Sequence, residues 1–376
     1  MINTKKFGEE LKKKGFTFYS GVPCSFLKSF INFAINECEY VMATNEGEAV
    51  SIAAGASIGG KKSVVLMQNS GLTNACSPLA SLIYPFKIPI LGFVSLRGEQ
   101  GLSDEPQHEL MGQITTQMLQ MMEIHWEYLS LDFEEALNQI NRANGYIEQN
   151  QSYFFVVKKG TFEAEDLVRQ EKKQSANLIL QGKNKEDQLP ARFDALKVIN
   201  SLKDTHTIQL ATTGKTGREL YELEDAPNNL YMVGSMGCIN SLGLGLSLTR
   251  KDRDIIVLDG DGALLMRMGS MATNGTNSPA NMLHILLDNN THDSTGGQNT
   301  VSHNIDFVNI AASCGYTNAT YIHNLVELEE QIKAWKQNKT LTFLYLKIAK
   351  GSKKNLGRPK IKPHEVKERL QVFLHD

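Results

Sequence analysis

Two α/β domains, each a doubly wound parallel sheet with helices on both faces, are what this sequence predicts. Three observations carry that reading. Short apolar runs bounded by turn residues alternate with helical patterns: "SVVLMQ" (63–68), "IPILGFVSL" (88–96) and "YFFVVKK" (153–159) read as strands. The alternation restarts at "THTIQLATTG" (205–214) and runs through "DIIVLDG" (254–260), "MLHILLD" (282–288) and "TFLYLKIA" (342–349). A chain of 376 residues, 41% hydrophobic and 21% charged, is long enough to fill two cores. The first domain is assigned to 1–165 and the second to 190–376, with a linker at 166–189. That linker lies in a stretch rich in charged and amide residues, "EAEDLVRQEKKQSANLILQGKNKEDQLP", poor in strand pattern and expected to hold a short helix. The basic, proline-interrupted tail "GSKKNLGRPKIKPHEVKERLQVFLHD" reads as a solvated extension packing on the second domain, with a last helix from about Pro363.

Composition narrows the partners. A formal charge of −2, with Lys and Arg scattered along the chain, gives no electrostatic reason to expect nucleic acid or an anionic membrane. The five cysteines are far apart, odd in number and never in a C-x-x-C arrangement, which argues against a disulfide framework or a zinc site. "MINTKKFGEELKKKG" lacks the apolar run of a secretory signal, and no later segment approaches bilayer length. A cytoplasmic protein is expected.

The chemistry is read from "GDGALLMRMGSMATNGTNSPANMLHILLDNN" (260–290). Asp254 to Asp259 has the pattern of a buried strand, and Gly260-Asp261-Gly262 is the turn at its carboxyl end, where parallel sheets gather ligands. The following "ALLMRMGSMAT" suits a helix whose first turn offers backbone N–H groups to an anion. The next strand ends at Asp288-Asn289-Asn290, and a right-handed crossover brings that end beside Asp261. One carboxylate, an amide oxygen from Asn289 or Asn290 and a backbone carbonyl just beyond make a hard-oxygen half-shell for Mg²⁺, which a diphosphate would complete. An ordinary glycine turn with a capping asparagine would look the same from GDG alone. The two strands and the spacing favour the metal site.

GDG followed at this distance by an asparagine resembles the signature of the thiamine diphosphate (ThDP)-dependent enzymes. The resemblance implies that Asp261 and Asn289 bind Mg²⁺ through their side chains and Thr291 through its carbonyl. Asn290 with the His292 carbonyl is the other register; Asn289 is preferred because relatives keep only this first asparagine. Gly260, Gly262 and Ala263 then border the diphosphate. The family also needs a glutamate facing N1′ of the aminopyrimidine, at the start of a small-residue helix with a glycine nine residues on. In "TNEGEAVSIAAGASIGG", Glu46 has that relation to Gly55, whereas Glu48 is two residues too close. In "YMVGSMGCINSLGLGLSL", Met236 within Gly234-Ser235-Met236-Gly237 would prop the cofactor into its bent shape, and the Gly234 carbonyl would accept from its 4′-amino group.

"THDSTGGQ" (291–298), "SGVPCSFLK" (20–28), "MQNSGLTN" (67–74), "RGEQGLSDEPQH" (97–108) and "TTGKTGREL" (212–220) narrow the resemblance to the phosphonopyruvate and sulfopyruvate decarboxylase subgroup, which lacks a central domain. The subgroup implies non-oxidative decarboxylation of 3-phosphonopyruvate to phosphonoacetaldehyde and CO₂, a step of phosphonate biosynthesis of the 2-aminoethylphosphonate type. Sulfopyruvate decarboxylation, or another ThDP-dependent decarboxylation or carboligation, is the alternative. A phosphonate demands cations and N–H donors, and Arg97, His108, Lys215, Arg218, Ser294, Thr295 and the Gly296 and Gly297 amides are the candidates. Cys24 stands where an aspartate is expected, so His108 or a water becomes the candidate late proton donor. The subgroup also implies a homo-oligomer whose active sites are shared between subunits.

Overall fold

The computed structural model describes residues 1–168, 189–294 and 297–375, with backbone alone for Gln107 and for Leu178–Leu180. The chain divides into two compact units, Met1–Lys172 and Lys173–Asp376, and each is built on a parallel sheet, as the alternation predicts. Most of the expected linker, with its short helix, lies outside the described residues. Leu178–Leu180, inside that stretch, forms a strand instead.

The first unit contains β1 (Phe16–Gly21), β2 (Glu39–Met42), β3 (Lys62–Gln68), β4 (Leu91–Ser95), β5 (His125–Tyr128) and β6 (Tyr153–Val157). They lie in the order β2-β1-β3-β4-β6-β5, all parallel to their neighbours. The three expected strands are β3, β4 and β6. Those not foreseen lack a continuous apolar run: β1 interleaves Thr and Ser, while β2 and β5 are four-residue edge strands that stay partly exposed. Because side chains alternate across a sheet, each face carries its own core. One face packs Phe93 and Phe155 against Phe7, Phe30 and Phe162, with the Phe30 ring 4.8 Å from Phe93 and 4.9 Å from Phe162. Near the other, the helix Glu46–Ile58 is buried along its whole length. Its Ala, Gly and Ser side chains let it lie close to β1, β3 and the helix Asn69–Pro78.

Edge strand β5 is held by charge rather than apolar area. Glu127 accepts from Arg142 Nε at 2.9 Å and Nη2 at 2.7 Å, from Gln139 at 2.8 Å and from the Tyr153 hydroxyl. Arg142 above all holds the Glu127 carboxyl down to about 2, against burial that would raise it. The pair is partly exposed, so Glu127→Gln is expected to cost only about 1 kcal/mol at neutral pH. A depressed folded value means stability present above the unfolded value of 4.5 and lost as pH falls towards about 2. Urea denaturation at pH 7 and pH 3.5, run on both proteins, should therefore show the gap narrowing in acid; a constant gap would assign the loss to packing.

The second unit contains β7 (Leu178–Leu180), β8 (Thr207–Ala211), β9 (Asn229–Tyr231), β10 (Asp254–Gly260), β11 (Met282–Asp288), a small antiparallel pair β12 (Thr291–His292) and β13 (Gln298–Asn299), β14 (Asn318–Ile322) and β15 (Thr342–Lys347). The main sheet runs β7-β14-β15-β11-β10-β8-β9, again parallel throughout. Register places the two halves of the GDG–asparagine motif: Gly260 pairs with Leu287, so β10 and β11 end side by side. The single helix expected after GDG is two, Asp261–Met266 and Ser270–Asn277, because the chain leaves helical geometry at Arg267 before Gly269. The last helix, Pro363–His375, buries Val366, Leu370 and Leu374 and packs near β9. The tail preceding it packs on this unit as expected, with most of its residues exposed. Its Lys353 amide donates to Glu219 at 2.8 Å and its Lys360 amide to the Tyr221 hydroxyl at 3.4 Å, both on the helix Lys215–Leu223. No helix among the described residues is long and apolar enough to cross a membrane.

Candidate active site

In the second unit, a cavity of about 620 Å³ opens at the carboxyl ends of β8, β10 and β11. A larger hollow of about 960 Å³ lies at the amino ends of β4, β5 and β6, the wrong edge for ligand chemistry in a parallel sheet. Of the residues read from the sequence, Gly234, Met236, Gly260, Asp261, Gly262, Ala263, Asn289 and Thr291 all line the smaller cavity, together with Lys215, Arg218 and Ser294. Ser235 does not line it; it is buried with a left-handed φ of 44°. Thr295 and Gly296 lie outside the described residues. Gly297 is described, with a φ of 77°.

Asp261 is 3% exposed and begins the helix after β10. Its Oδ2 accepts from the Ser302 hydroxyl at 2.9 Å and from the Thr300 hydroxyl. Burial, aided by the nearby Asp288 carboxylate, pushes its pKa above the ordinary carboxylate value, against the hydroxyls that lower it. A cation beside it would offset the cost of burying its charge. Asn289 is buried, accepts from the Thr291 amide at 3.1 Å and donates to Asp293 at 2.6 Å. The neighbouring Asn290 has another role. Its amide is bound to Asp288 and Ser302, Lys347 donates to its oxygen, and it takes a left-handed φ of 55°. Among the described residues no cluster of three His, Cys, Asp or Glu side chains could hold a metal, so a nitrogen–sulfur site has no candidate here. One carboxylate, one amide oxygen and the Thr291 carbonyl remain as a hard-oxygen set that suits Mg²⁺. Gly262 keeps this edge open: a Cβ there would come within 2.6 Å of the His292 ring and 3.3 Å of the Met236 methyl.

Two features of this region went unread in the sequence. Asp293 is a hub, binding Asn289, Arg192 at 2.7 Å, the Thr291 hydroxyl at 3.0 Å and the Gly351 amide at 3.4 Å. Burial would raise its pKa, but Arg192 and Thr291 hold it below the ordinary value. Beneath the turn, Asp259 accepts from the Gly260 amide at 2.9 Å and lies 3.4 Å from His284, which reaches the Tyr316 hydroxyl at 3.1 Å. Asn274 donates to that hydroxyl at 3.0 Å and to Asn240 at 2.7 Å. A histidine inside the apolar run "MLHILLD" was the signal for this network.

In the first unit, Glu46 opens its helix under an Asn45 cap and is 8% exposed. Its Oε2 accepts from Asn74 at 2.9 Å, and Gly71 makes room for it, since a Cβ there would fall 2.0 Å from Oε1. Glu48 is engaged through Oε2 by the Thr44 amide at 2.7 Å and the Thr44 hydroxyl, while its Oε1 has no hydrogen-bond partner among the described residues. Arg97 has both edges of its fork engaged: Asp104 takes Nε at 2.7 Å and Nη2, Ser25 takes Nη1 at 3.1 Å, and the guanidinium lies 4.8 Å from the Phe26 ring. Arg97 in turn holds the Asp104 carboxyl well below the ordinary carboxylate range. His108 is buried, and its Nδ1 has no hydrogen-bond partner among the described residues. Cys24 is buried with its Sγ 3.0 Å from the Ser95 hydroxyl and 3.6 Å from the Gln68 side-chain oxygen Oε1.

Comparison with known proteins identifies both domains. Residues 5–120 match the model of the thiamine pyrophosphate enzyme N-terminal TPP binding domain, and 212–346 that of the C-terminal TPP binding domain. The chain is 36% identical to a phosphonopyruvate decarboxylase of Streptomyces viridochromogenes, covering 100% of this chain and 95% of that one. It is 27% identical to a sulfopyruvate decarboxylase of Methanosarcina acetivorans over 98% of this chain and 97% of that one. Benzoylformate decarboxylase from Polynucleobacter necessarius shares the fold, with a TM-score of 0.74 at 14% identity over 94% of this chain and 100% of that structure. A sheet edge that gathers a buried carboxylate, an amide and a glycine turn, on a chain matched end to end by these enzymes, belongs to the family of thiamine diphosphate-dependent 2-oxo acid decarboxylases, in the branch of the phosphonopyruvate and sulfopyruvate decarboxylases.

Proposed function

We propose that the protein decarboxylates 3-phosphonopyruvate to phosphonoacetaldehyde and CO₂ with ThDP and Mg²⁺, as a step of phosphonate biosynthesis of the 2-aminoethylphosphonate type. The observation that carries the substrate is the full-length identity of 36% to a phosphonopyruvate decarboxylase, against 27% to a sulfopyruvate decarboxylase. When bound, ThDP supplies the carbon nucleophile and the electron sink that loss of CO₂ requires. The protein's own residues do the rest. Asp261 and Asn289 side-chain oxygens and the Thr291 carbonyl hold Mg²⁺, and Gly260, Gly262 and Ala263 leave space for phosphate oxygens. Met236 wedges the cofactor, with the Gly234 carbonyl accepting from its amino group. A Glu46 carboxyl oxygen gives and takes a proton at the aminopyrimidine N1′, its direction kept by Asn74. His108, buried with a ring nitrogen to spare, is the candidate to protonate the product carbon in place of the aspartate that Cys24 replaces. Lys215 and Ser294 in the cavity serve the substrate's anionic end; Arg97 does so only by sharing the fork now held by Asp104. We also infer a homo-oligomer in which Glu46 of one subunit serves the metal loop of another.

An aldehyde-release assay with phosphonopyruvate, sulfopyruvate and pyruvate, with and without ThDP and Mg²⁺, tests the reading. Phosphonopyruvate should give the highest kcat/KM and should need both cofactors. A clear preference for sulfopyruvate would reject the substrate and keep the chemistry; turnover without ThDP would reject both.

A further inference from the structure

The tail segment before the last helix is tied to the second unit at three points. The Gly351 amide reaches Asp293, the Lys353 amide reaches the buried Glu219, and the Lys353 ammonium reaches Glu222 at 2.8 Å. Beyond these anchors the chain returns to the cavity, where Arg358, Pro359 and Ile361 form part of its wall. Most of the described arginines are held by a carboxylate: 97, 142, 192, 250, 253 and 369 each have one within ion-pair distance. Arg358 and Arg218 have no such partner among the described residues, and both line this one cavity with Lys215.

A third feature of the cavity points to an anion independently. Thr212 is 3% exposed and lines it, yet its hydroxyl has no hydrogen-bond partner among the described residues. It stands just before Gly214, whose φ of 96° turns the chain into the helix Lys215–Leu223, so that the helix amino end also faces the space. Of the carboxylates on the wall, Asp293 is neutralised by Arg192 and Asp261 awaits a cation. A diphosphate with Mg²⁺ and Asp261 carries a net charge of roughly −2 near neutrality, and the substrate's anionic end adds to it. Lys215 and Arg218 together do not offset that sum, which leaves a charge for Arg358 to meet.

We propose that Arg358 binds the phosphonate of the substrate, the guanidinium fork matching two phosphonate oxygens and the anchored tail serving to position it. This rests on phosphonopyruvate being the substrate. It gives the tail a share in specificity: a dianionic phosphonate gains more from this cation than a monoanionic sulfonate.

The test uses the full-length protein with saturating ThDP and Mg²⁺. Arg358→Gln should raise KM for phosphonopyruvate about tenfold or more while leaving kcat nearly unchanged, and Arg358→Lys should recover part of the loss. Calorimetric titration of ThDP into the cofactor-free variant should give the native Kd, and Lys354→Gln, on the same tail segment, should behave as native in both measurements. If ThDP affinity falls instead of KM rising, the arginine serves the cofactor's phosphates and the substrate assignment is overturned. If neither changes, the tail has no anion role. Failure of the native protein to turn over phosphonopyruvate would reject the proposed function itself, an outcome visible before any variant is made.

Discussion

Replacing Asp261 by alanine should weaken ThDP binding in the presence of Mg²⁺ by at least about 100-fold and bring decarboxylation to background. Calorimetric titration of Mg²⁺ and ThDP into the cofactor-free protein measures the first, and aldehyde release the second. The variant loses the one carboxylate that the proposed metal set contains, because Asp288 is already committed to Tyr345 at 2.7 Å, Asn290 and Ser302. Stability should move the opposite way. Burial raises the Asp261 pKa, so near neutral pH the ionised group works against folding of the cofactor-free protein. Asp261→Asn, which keeps an acceptor for Thr300 and Ser302, should therefore have an equal or higher Tm without cofactor and lose the Tm gain that ThDP and Mg²⁺ give the native protein. Tight ThDP binding by the alanine variant would remove the metal assignment.

Glu46→Gln is expected to lower kcat by about 10²- to 10⁴-fold while the ThDP Kd changes little. The glutamine keeps the volume beside Gly71 and still accepts from Asn74, but it cannot exchange a proton at N1′. A kcat near native would leave Glu46 with a helix-terminal role only. The same variant addresses assembly. Mixed with inactive Asp261→Ala and allowed to exchange subunits, it should regain activity, up to about one quarter of native for random dimers, since one site in each mixed dimer is intact. No recovery despite demonstrated exchange would mean that each subunit completes its own site.

The legibility of this molecule follows the range of the interactions involved. Interior strands with an unbroken apolar run announce themselves, and β10 and β11 fall at 254–260 and 282–288 as read. Strand β1, interior as well, escaped because Thr and Ser interrupt its run. Strands β2 and β5 escaped because an edge strand owes its place to its neighbour's backbone and, at Glu127, to an ion pair with Arg142. The residues lining the cavity were legible where the chain brings them in one motif, as at Gly260 to Ala263. Asp293 was not: its meaning depends on Arg192, 101 positions away, and on the Gly351 amide of the tail. The tail reads as a solvated extension packing on the second unit, and it is one. What the sequence does not show is which of its residues border the cavity, because arginines and prolines look alike whether they face water or a cavity wall.

The pairing of Gly260 with Leu287 also bears on how such sites tolerate change. The distance in sequence between Asp261 and Asn289 has no direct hold on their distance in space, which the ladder between the two strands sets. Residues gained or lost at exposed Thr276 or Ala280, clear of the buried Asn281 amide that is bound to the Ser247, Arg250 and Arg253 carbonyls, would alter the length of the motif while leaving its ends in register. A displacement of one residue within β11, by contrast, would carry Asp288 into the place of Asn289 and turn every side chain of the strand to the opposite face. Length variation in this crossover is therefore expected to be forgiven where slippage of a single strand position is not.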